Sequence, residues 1–505
     1  MDIPVGHWRI HFAERAMTKG GNSLCEIRRL IFSIFFVCSA ALVWGVASGP
    51  PAVAAPQNRW VHETDTVRPA TGGIARSEVT FRGGGGLELH GSVVAPTKPE
   101  GRARPGMVVL QGSGRGDRED YRREAEAFAR EGISTLIYDK RQVGYSLLQR
   151  DFSLLADDAL GAVRALRRQA GVDLERVGIM GISEGAWVAP LAACRSADVA
   201  FVVAVSGGIS PARQQAWGYE TWLRHRGVSG SLLTSVTSHA VGLAVAAGLF
   251  PEADHDPTPP LRRMRQPVLA VWGGLDRASP PREAAALYRA ALQEGATSSY
   301  TIRIFAGAGH GLRRAREGGF GQDGAFTPGY VAFTGSWVRS APDQAPPSRV
   351  GPLPRQDQLP VPPVDERSGG PLVLQLGLLA SLLVTYGGCL LWPGRRVDRS
   401  AGGPGGGRWT AAAGLVTVLG TLGYLGFLLA TAAQYPGPVF LRRPLPWLAL
   451  QILAVSAVCS AVVWAVRWWR VRGGGGSMVR PRVVLLLAGT AFFVPWAIYW
   501  GLLIP

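Results

Sequence analysis

Four long apolar runs fill the end of the chain, at 372–392, 409–433, 447–468 and 483–504. Each has about the 20 residues needed to cross a hydrocarbon layer of roughly 30 Å. The only charge inside them is Arg467, near the end of the third. Hydrocarbon offers no partner to a backbone N–H or C=O, so a single run of this length can cross only as a helix. Residues 372–505 are therefore expected to form an all-α transmembrane bundle of four helices. Trp392, Trp409, Trp447 and Trp468 stand at the run ends, where interfacial indoles belong. No Asp, Glu, Lys or His lies within the runs. Intramembrane ionisable groups mark ion pathways and intramembrane catalysis, so a transporter or an intramembrane protease is not expected.

Arginine sets the orientation. The connection 393–408 carries Arg395, Arg396, Arg399 and Arg408, and 469–482 carries Arg470, Arg472, Arg480 and Arg482. The connection between them, 434–446, holds only Arg442 and Arg443. This bias predicts that the first and third connections are cytoplasmic and that everything before residue 372 lies outside. The other end of the chain agrees. A basic stretch with Arg9, Arg15, Lys19, Arg28 and Arg29 precedes an uncharged apolar run at 30–47 and Ala52-Val53-Ala54-Ala55. Residues 1–55 thus read as a signal peptide or an N-terminal membrane anchor, and either would export the domain that comes after it. Residues 341–371 form a Pro-rich linker, extended enough to let the preceding domain stand off from the bundle. The formal net charge of +17 tracks these membrane flanks and forms no basic helix stripe, so nucleic acid is not an expected partner. Only three of the 53 basic residues are lysine (Lys19, Lys98 and Lys140), a bias that suggests a GC-rich bacterial genome. The cysteines (Cys25, Cys38, Cys194, Cys389 and Cys459) make neither a disulfide framework nor a C-x-x-C pair, and Cys194 reads as a small buried residue.

Residues 76–340 have a different pattern. Two alternating stretches around the run Gly83–Gly86 predict a β-hairpin. Short apolar strands come next, at 107–110, 134–138, 177–180, 201–205, 267–271 and 302–305, separated by helical periodicities such as Leu155, Ala159, Ala162, Val163 and Leu166. That alternation predicts an α/β domain, a mostly parallel sheet with helices on both faces. Between the strands at 201–205 and 267–271 lies an excursion with no strand pattern that contains Trp217, Tyr219 and Trp222. It predicts a helical cap, at about 212–266, over whatever site the strands present.

The site is marked by Gly181-Ile182-Ser183-Glu184-Gly185, placed between a strand and an Ala-rich helical run. Strand, G-x-S-x-G, helix places a serine on a tight turn, with the free N–H groups of a helix start beside it. A serine nucleophile needs a base, and the base needs an orienting acid. Asp276 lies just past one strand in Trp272-Gly-Gly-Leu-Asp276, and His310 lies past the last in a glycine-rich loop. Ser183, Asp276 and His310 are therefore the expected catalytic residues. The oxyanion is expected to meet the backbone N–H of Glu184 and that of Ser113, in the loop Gln111-Gly-Ser-Gly114 after an early strand. No metal site and no cofactor site is expected.

Residues 76–340 resemble the α/β-hydrolases, in particular the serine esterase, dienelactone-hydrolase-like and acyl-peptidase-related proteins. The resemblance rests on Gly112-Ser-Gly-Arg-Gly-Asp-Arg118, Asp139-Lys-Arg-Gln-Val-Gly-Tyr-Ser146, the Gly181–Gly185 pentapeptide, Trp272-Gly-Gly-Leu-Asp276 and Gly309-His310-Gly311. It implies the α/β-hydrolase fold, the Ser183–Asp276–His310 triad, and ester hydrolysis without metal or organic cofactor. Three positions depart from the family pattern. Gln111 and Ile182 stand where histidine is usual and Gln142 where glycine is, which bears on loop shape and substrate preference. The expected activity is that of a membrane-tethered, extracytoplasmic serine hydrolase, a carboxylesterase acting on a small-molecule, lipid or envelope ester. The alternatives are a serine peptidase or acyltransferase on envelope components, and a non-catalytic sensor built on the same fold.

Overall fold

The structure is a computed structural model, and it describes residues 73–97, 103–297, 299–341, 349–351, 370–391, 406–472 and 481–504. The N-terminal segment read as signal or anchor, most of the Pro-rich linker and the arginine-rich connection 393–405 lie outside the described residues.

A nine-stranded sheet forms the centre of the first part. Its strands are β1 (Ile74–Arg82), β2 (Glu88–Pro96), β3 (Arg104–Leu110), β4 (Ser134–Tyr138), β5 (Val172–Ile182), β6 (Val202–Val205), β7 (Val268–Gly273), β8 (Tyr300–Phe305) and β11 (Arg349–Val350). Their spatial order is β1-β2-β4-β3-β5-β6-β7-β8-β11. β1, β2 and β4 pair antiparallel in turn, and every other pairing is parallel. The β1–β2 turn needs its glycines, because Gly85 and Gly86 take φ +67° and +74°.

Helices cover both faces: α1 (Arg122–Arg130), α2 (Phe152–Arg167), α3 (Gly185–Arg195), α7 (Pro281–Gln293) and α8 (Tyr330–Ser340). The Asp151 side chain caps α2 by accepting from Leu154 N at 2.9 Å. The apolar stripe from Leu155 to Leu166 is buried against the sheet. Central strands β4, β6 and β7 are buried along their whole length, which explains their continuous apolar runs. Two elements have no apolar signature in the sequence, the hairpin of β9 (Arg313–Arg316) and β10 (Gly321–Phe326). Cys194 differs from expectation: it lies exposed near the end of α3, with Sγ 3.2 Å from Pro260 O.

The excursion between β6 and β7 folds as α4 (Pro211–His225), α5 (Ser231–Ala246) and α6 (Thr258–Arg263). α4 passes beside the loop that carries Asp276, where a Cβ on Gly218 would stand 3.9 Å from Arg277 O. Trp222 and His225 meet Phe320 with ring centroids 5.0 and 3.6 Å apart.

The last part is helical: α9 (Gly370–Leu391), α10 (Gly406–Ala430), α11 (Leu445–Arg472) and α12 (Pro481–Tyr499). Three helices, Pro371–Leu391, Gly407–Ala430 and Leu445–Arg470, are long and apolar enough to cross a membrane, and Val483–Tyr499 is a shorter apolar helix. The fourth predicted run therefore ends early as a helix. Gly501, at φ +67°, turns the chain, and the carbonyls of Trp500 and Gly501 point back toward other elements.

Those carbonyls meet the excursion, so the domain does not stand off on its linker. Ser235 Oγ donates to Trp500 O at 2.7 Å, Ser231 Oγ to Gly501 O at 2.6 Å, and Tyr219 OH to Leu429 O at 3.1 Å. The His239 ring stacks on Tyr499 at 4.1 Å. Ala212, Ala216, Leu223, Leu232 and Val236 are buried in one apolar core with Leu428, Trp447 and Trp496 of the bundle. The excursion expected to be a cap thus serves as the joint between the two parts. Cut from the bundle, the excursion would leave the apolar face that it buries against Leu428, Trp447 and Trp496 open to water. A fragment truncated after Ala341 is accordingly expected to elute as aggregate on size exclusion without detergent. A monodisperse fragment would contradict the docked arrangement.

Candidate active site

Three strand ends converge on one edge of the sheet. β5 runs into the turn at Ser183, whose φ is +55°, a left-handed conformation that costs a non-glycine residue about 1–3 kcal/mol. Its N–H donates to Val205 O at 2.9 Å, which fixes the turn against the end of β6. The flanking glycines are imposed by contact. A Cβ on Gly181 would stand 2.0 Å from Gly185 O, and one on Gly185 would stand 2.5 Å from Leu110 O. Only glycine lets β5, α3 and the end of β3 meet so closely.

Asp276 comes after β7, with a fully buried side chain. Its Oδ1 accepts from Ala278 N at 2.8 Å and Ser279 N at 2.9 Å, and its Oδ2 lies 2.9 Å from His310 Nδ1. His310 comes after β8, and its backbone carbonyl accepts from Gln322 Nε2 of the β9–β10 hairpin at 3.2 Å. Burial pushes the imidazole pKa down, but the Asp276 charge and hydrogen bond outweigh it and hold it above 6.5. With Nδ1 bonded to the carboxylate, Nε2 is the nitrogen left to exchange a proton. Ser183 and His310 share this edge, while the Ser183 hydroxyl has no hydrogen bond among the described residues. Such geometry tightens when substrate binds.

The sign of the His310 shift sets a pH dependence. His310 acts as a base only when neutral, so kcat/KM should fall as the pH drops through a pKa above 6.5. Asp276→Asn removes the raising charge and should move the residual acidic limb to lower pH. A pH–rate profile of both proteins checks it, and a limb that does not move would contradict the pairing.

The loop after β3 lies against the serine turn, where a Cβ on Gly112 would be 3.6 Å from Ser183 Cβ. Gly112 N donates to Tyr121 OH at 2.9 Å and Gly114 N to Tyr145 OH at 3.1 Å. Neither Ser113 N–H nor Glu184 N–H donates to a protein acceptor among the described residues. Ser113 follows Gly112, which packs on the Ser183 turn, and Glu184 follows Ser183 directly, the two positions from which an oxyanion would have to be met. Gln111, where histidine was expected, is buried and its side-chain amide donates to Tyr138 O, tying the loop to the end of β4.

Several residues that shape this edge carry no role that their local sequence reveals. Ser206, at φ +52°, donates its N–H to Val271 O and accepts from Gly311 N at 3.3 Å, which draws the His310 loop toward β6. The Glu184 side chain is fully buried and is bound by Lys140, Tyr145 and Arg150. The only sequence signal is the family-like segment Asp139–Ser146, which contains Lys140 and Tyr145. Among the described residues no three His, Cys, Asp or Glu side chains converge to hold a metal ion.

Strand order β1-β2-β4-β3-β5-β6-β7-β8, a strained serine after β5, an acid after β7 and a histidine after β8 decide the fold. The domain has the α/β-hydrolase fold. Residues 154–322 match the Prolyl oligopeptidase family. A curated relative, the thiohydrolase aneE of Aspergillus aculeatus, is 32% identical over 134 residues, covering 26% of this chain and 41% of that protein. Among solved structures, the acylaminoacyl peptidase of Pyrococcus horikoshii is similar at 20% identity and a TM-score of 0.35, covering 49% of this chain and 39% of that one. A putative dienelactone hydrolase of Klebsiella pneumoniae is similar at 14% identity and a TM-score of 0.36, covering 53% and 97%. The chain thus spans less than half the length of the thiohydrolase and of the acylaminoacyl peptidase. Its helical bundle lies beyond the region matched to the Prolyl oligopeptidase family.

Proposed function

We propose that this α/β-hydrolase is a membrane-held serine hydrolase that cleaves a carboxylic ester through an acyl-enzyme. The observation that carries the reading is the Asp276–His310 pair, 2.9 Å apart, on the sheet edge where Ser183 is held at φ +55°. Ser183 Oγ attacks the carbonyl carbon and passes its proton to His310 Nε2, while Asp276 stabilises the imidazolium. The carbonyl oxygen, now negative, rests on the N–H groups of Ser113 and Glu184. Collapse breaks the ester C–O bond, and the alkoxide leaves with the proton from His310. Water repeats the sequence and releases the acid. The match to the Prolyl oligopeptidase family favours a second reading, in which the same acyl transfer is performed on an amide.

The two readings separate in one assay on the full chain in detergent. Ester cleavage predicts turnover of p-nitrophenyl esters of one preferred chain length, with aminoacyl p-nitroanilides slower by orders of magnitude. The reverse ranking would replace the ester reading by the amide one. Turnover that survives Ser183→Ala would sink both.

We place the domain on the extracytoplasmic side. The joint with the excursion uses Leu429, Trp500 and Gly501, at the bundle end away from Arg408 and Arg470. Arginine retention on the cytoplasmic side supports this orientation. The end of α12 shares that side, so green fluorescent protein fused after Pro505 should stay dark and alkaline phosphatase fused there should be active. A fluorescent fusion would reverse the orientation.

A further inference from the structure

One buried charge cluster has no part in the proton transfers, yet it contains the side chain of one expected oxyanion donor, Glu184, and grips both neighbours of the other, Ser113. Lys140, Tyr145 and Glu184 are each less than 10% exposed. The Lys140 ammonium spends its three hydrogens on Glu184 Oε1 at 2.5 Å, Gly112 O at 2.7 Å and Tyr145 OH at 2.8 Å. Tyr145 OH donates to the same Glu184 Oε1 at 2.7 Å and accepts from Gly114 N at 3.1 Å. Arg150 covers the other carboxylate oxygen at 3.1 Å.

Glu184 is the residue next to Ser183. Its backbone N–H is one expected donor, and its side chain anchors the loop that carries the other. Gly112 and Gly114, on either side of Ser113, are the two residues the cluster grips. Burial alone would push the Glu184 carboxyl up, but Lys140 and Arg150 prevail and hold it below its ordinary range, so the carboxylate is charged.

Stability does not explain the arrangement, because a buried ion pair costs desolvation that a well-packed apolar pair would avoid. Geometry does. Two hydrogen bonds, Lys140 Nζ to Gly112 O and Gly114 N to Tyr145 OH, hold the glycine loop on either side of Ser113, and through Glu184 they tie it to the residue next to the nucleophile.

We propose that Lys140, Tyr145 and Glu184 are positioning residues that set the oxyanion hole, fixing the Ser113 N–H at its distance from Ser183. This rests on the acyl-transfer reading given above. It adds that transition-state binding is governed by side chains that never touch the substrate.

The test uses the full chain in detergent with the best ester substrate and a boronic acid, which forms a tetrahedral adduct that occupies the same hole. Lys140→Met and Glu184→Gln should each lower kcat by about 10²-fold, the loss expected on removal of one oxyanion donor. KM should stay within about threefold, and boronate affinity should fall in parallel with kcat. If either variant fails to fold, Tyr145→Phe removes one hydroxyl without touching the charge pair, and it should lower kcat by about tenfold with the same split. Folded variants with wild-type kcat, or with a loss confined to KM, overturn the proposal. Wild-type protein that shows no acyl transfer at all would instead overturn the reading on which it rests.

Discussion

His310→Ala should lower kcat by about 10⁶-fold, the cost of losing the base from such a triad, and Asp276→Asn by about 10⁴-fold. The smaller figure has a specific origin here. Asp276 Oδ1 is committed to the N–H groups of Ala278 and Ser279, so an Asn at this position keeps its oxygen there. Its NH₂ then replaces Oδ2, 2.9 Å from His310 Nδ1. A donor facing Nδ1 forces the imidazole proton onto Nε2, the wrong tautomer for taking a proton from Ser183. Single-turnover kinetics on the full chain checks both variants, and melting should be nearly unchanged for Asp276→Asn because the turn keeps its hydrogen bonds. Equal losses in the two variants would mean that tautomer control is not what Asp276 contributes.

Arg141→Ala should produce the largest loss of stability in the α/β-hydrolase domain. The Arg141 guanidinium is buried and grips Asp158 through Nε and an Nη nitrogen at 2.6 and 2.7 Å, and the same Nη donates to Gly84 O at 2.7 Å. Asp158 Oδ1 also accepts from Gly84 N at 2.8 Å, so one ion pair stitches the β1–β2 turn to α2. Removing the cation leaves a buried carboxylate without its partner, which costs about 3–5 kcal/mol. The apparent melting midpoint of the domain should fall by on the order of 10 °C. Replacing both partners, as Arg141→Met with Asp158→Leu, should recover most of the loss. A single variant as stable as wild type would show that the pair is dispensable.

The parts of this molecule that were legible in its sequence are those set by local rules. The serine turn was readable because its geometry needs Gly181 and Gly185 within five residues. Asp276 and His310 were readable because each comes just after an apolar strand. The remainder depends on contacts between distant segments. Lys140 meets Glu184 from 44 residues away, and neither local periodicity nor spacing encodes that meeting. The β9–β10 hairpin begins Arg313-Arg-Ala-Arg316, with none of the β-branched or aromatic residues that announce a strand. The excursion carried apolar residues that a cap and a docking surface would need equally, so sequence could not reveal that it packs on Leu428, Trp447 and Trp496. Hydropathy ran the last span to Ile504, whereas the Trp500–Gly501 turn ends the helix at Tyr499 and gives its carbonyls to Ser235 and Ser231.

Ser183 as nucleophile is the claim on which the functional account depends. The most direct measurement treats the full chain in detergent with a biotinylated fluorophosphonate and maps the adduct by peptide mass spectrometry. The reagent forms a Ser O–P bond as the P–F bond breaks, so it reports an activated serine whatever the natural acyl group is. The account predicts one adduct, on the peptide that contains Ser183, and none in Ser183→Ala protein. An adduct on another serine, or undiminished labelling of Ser183→Ala, would contradict it.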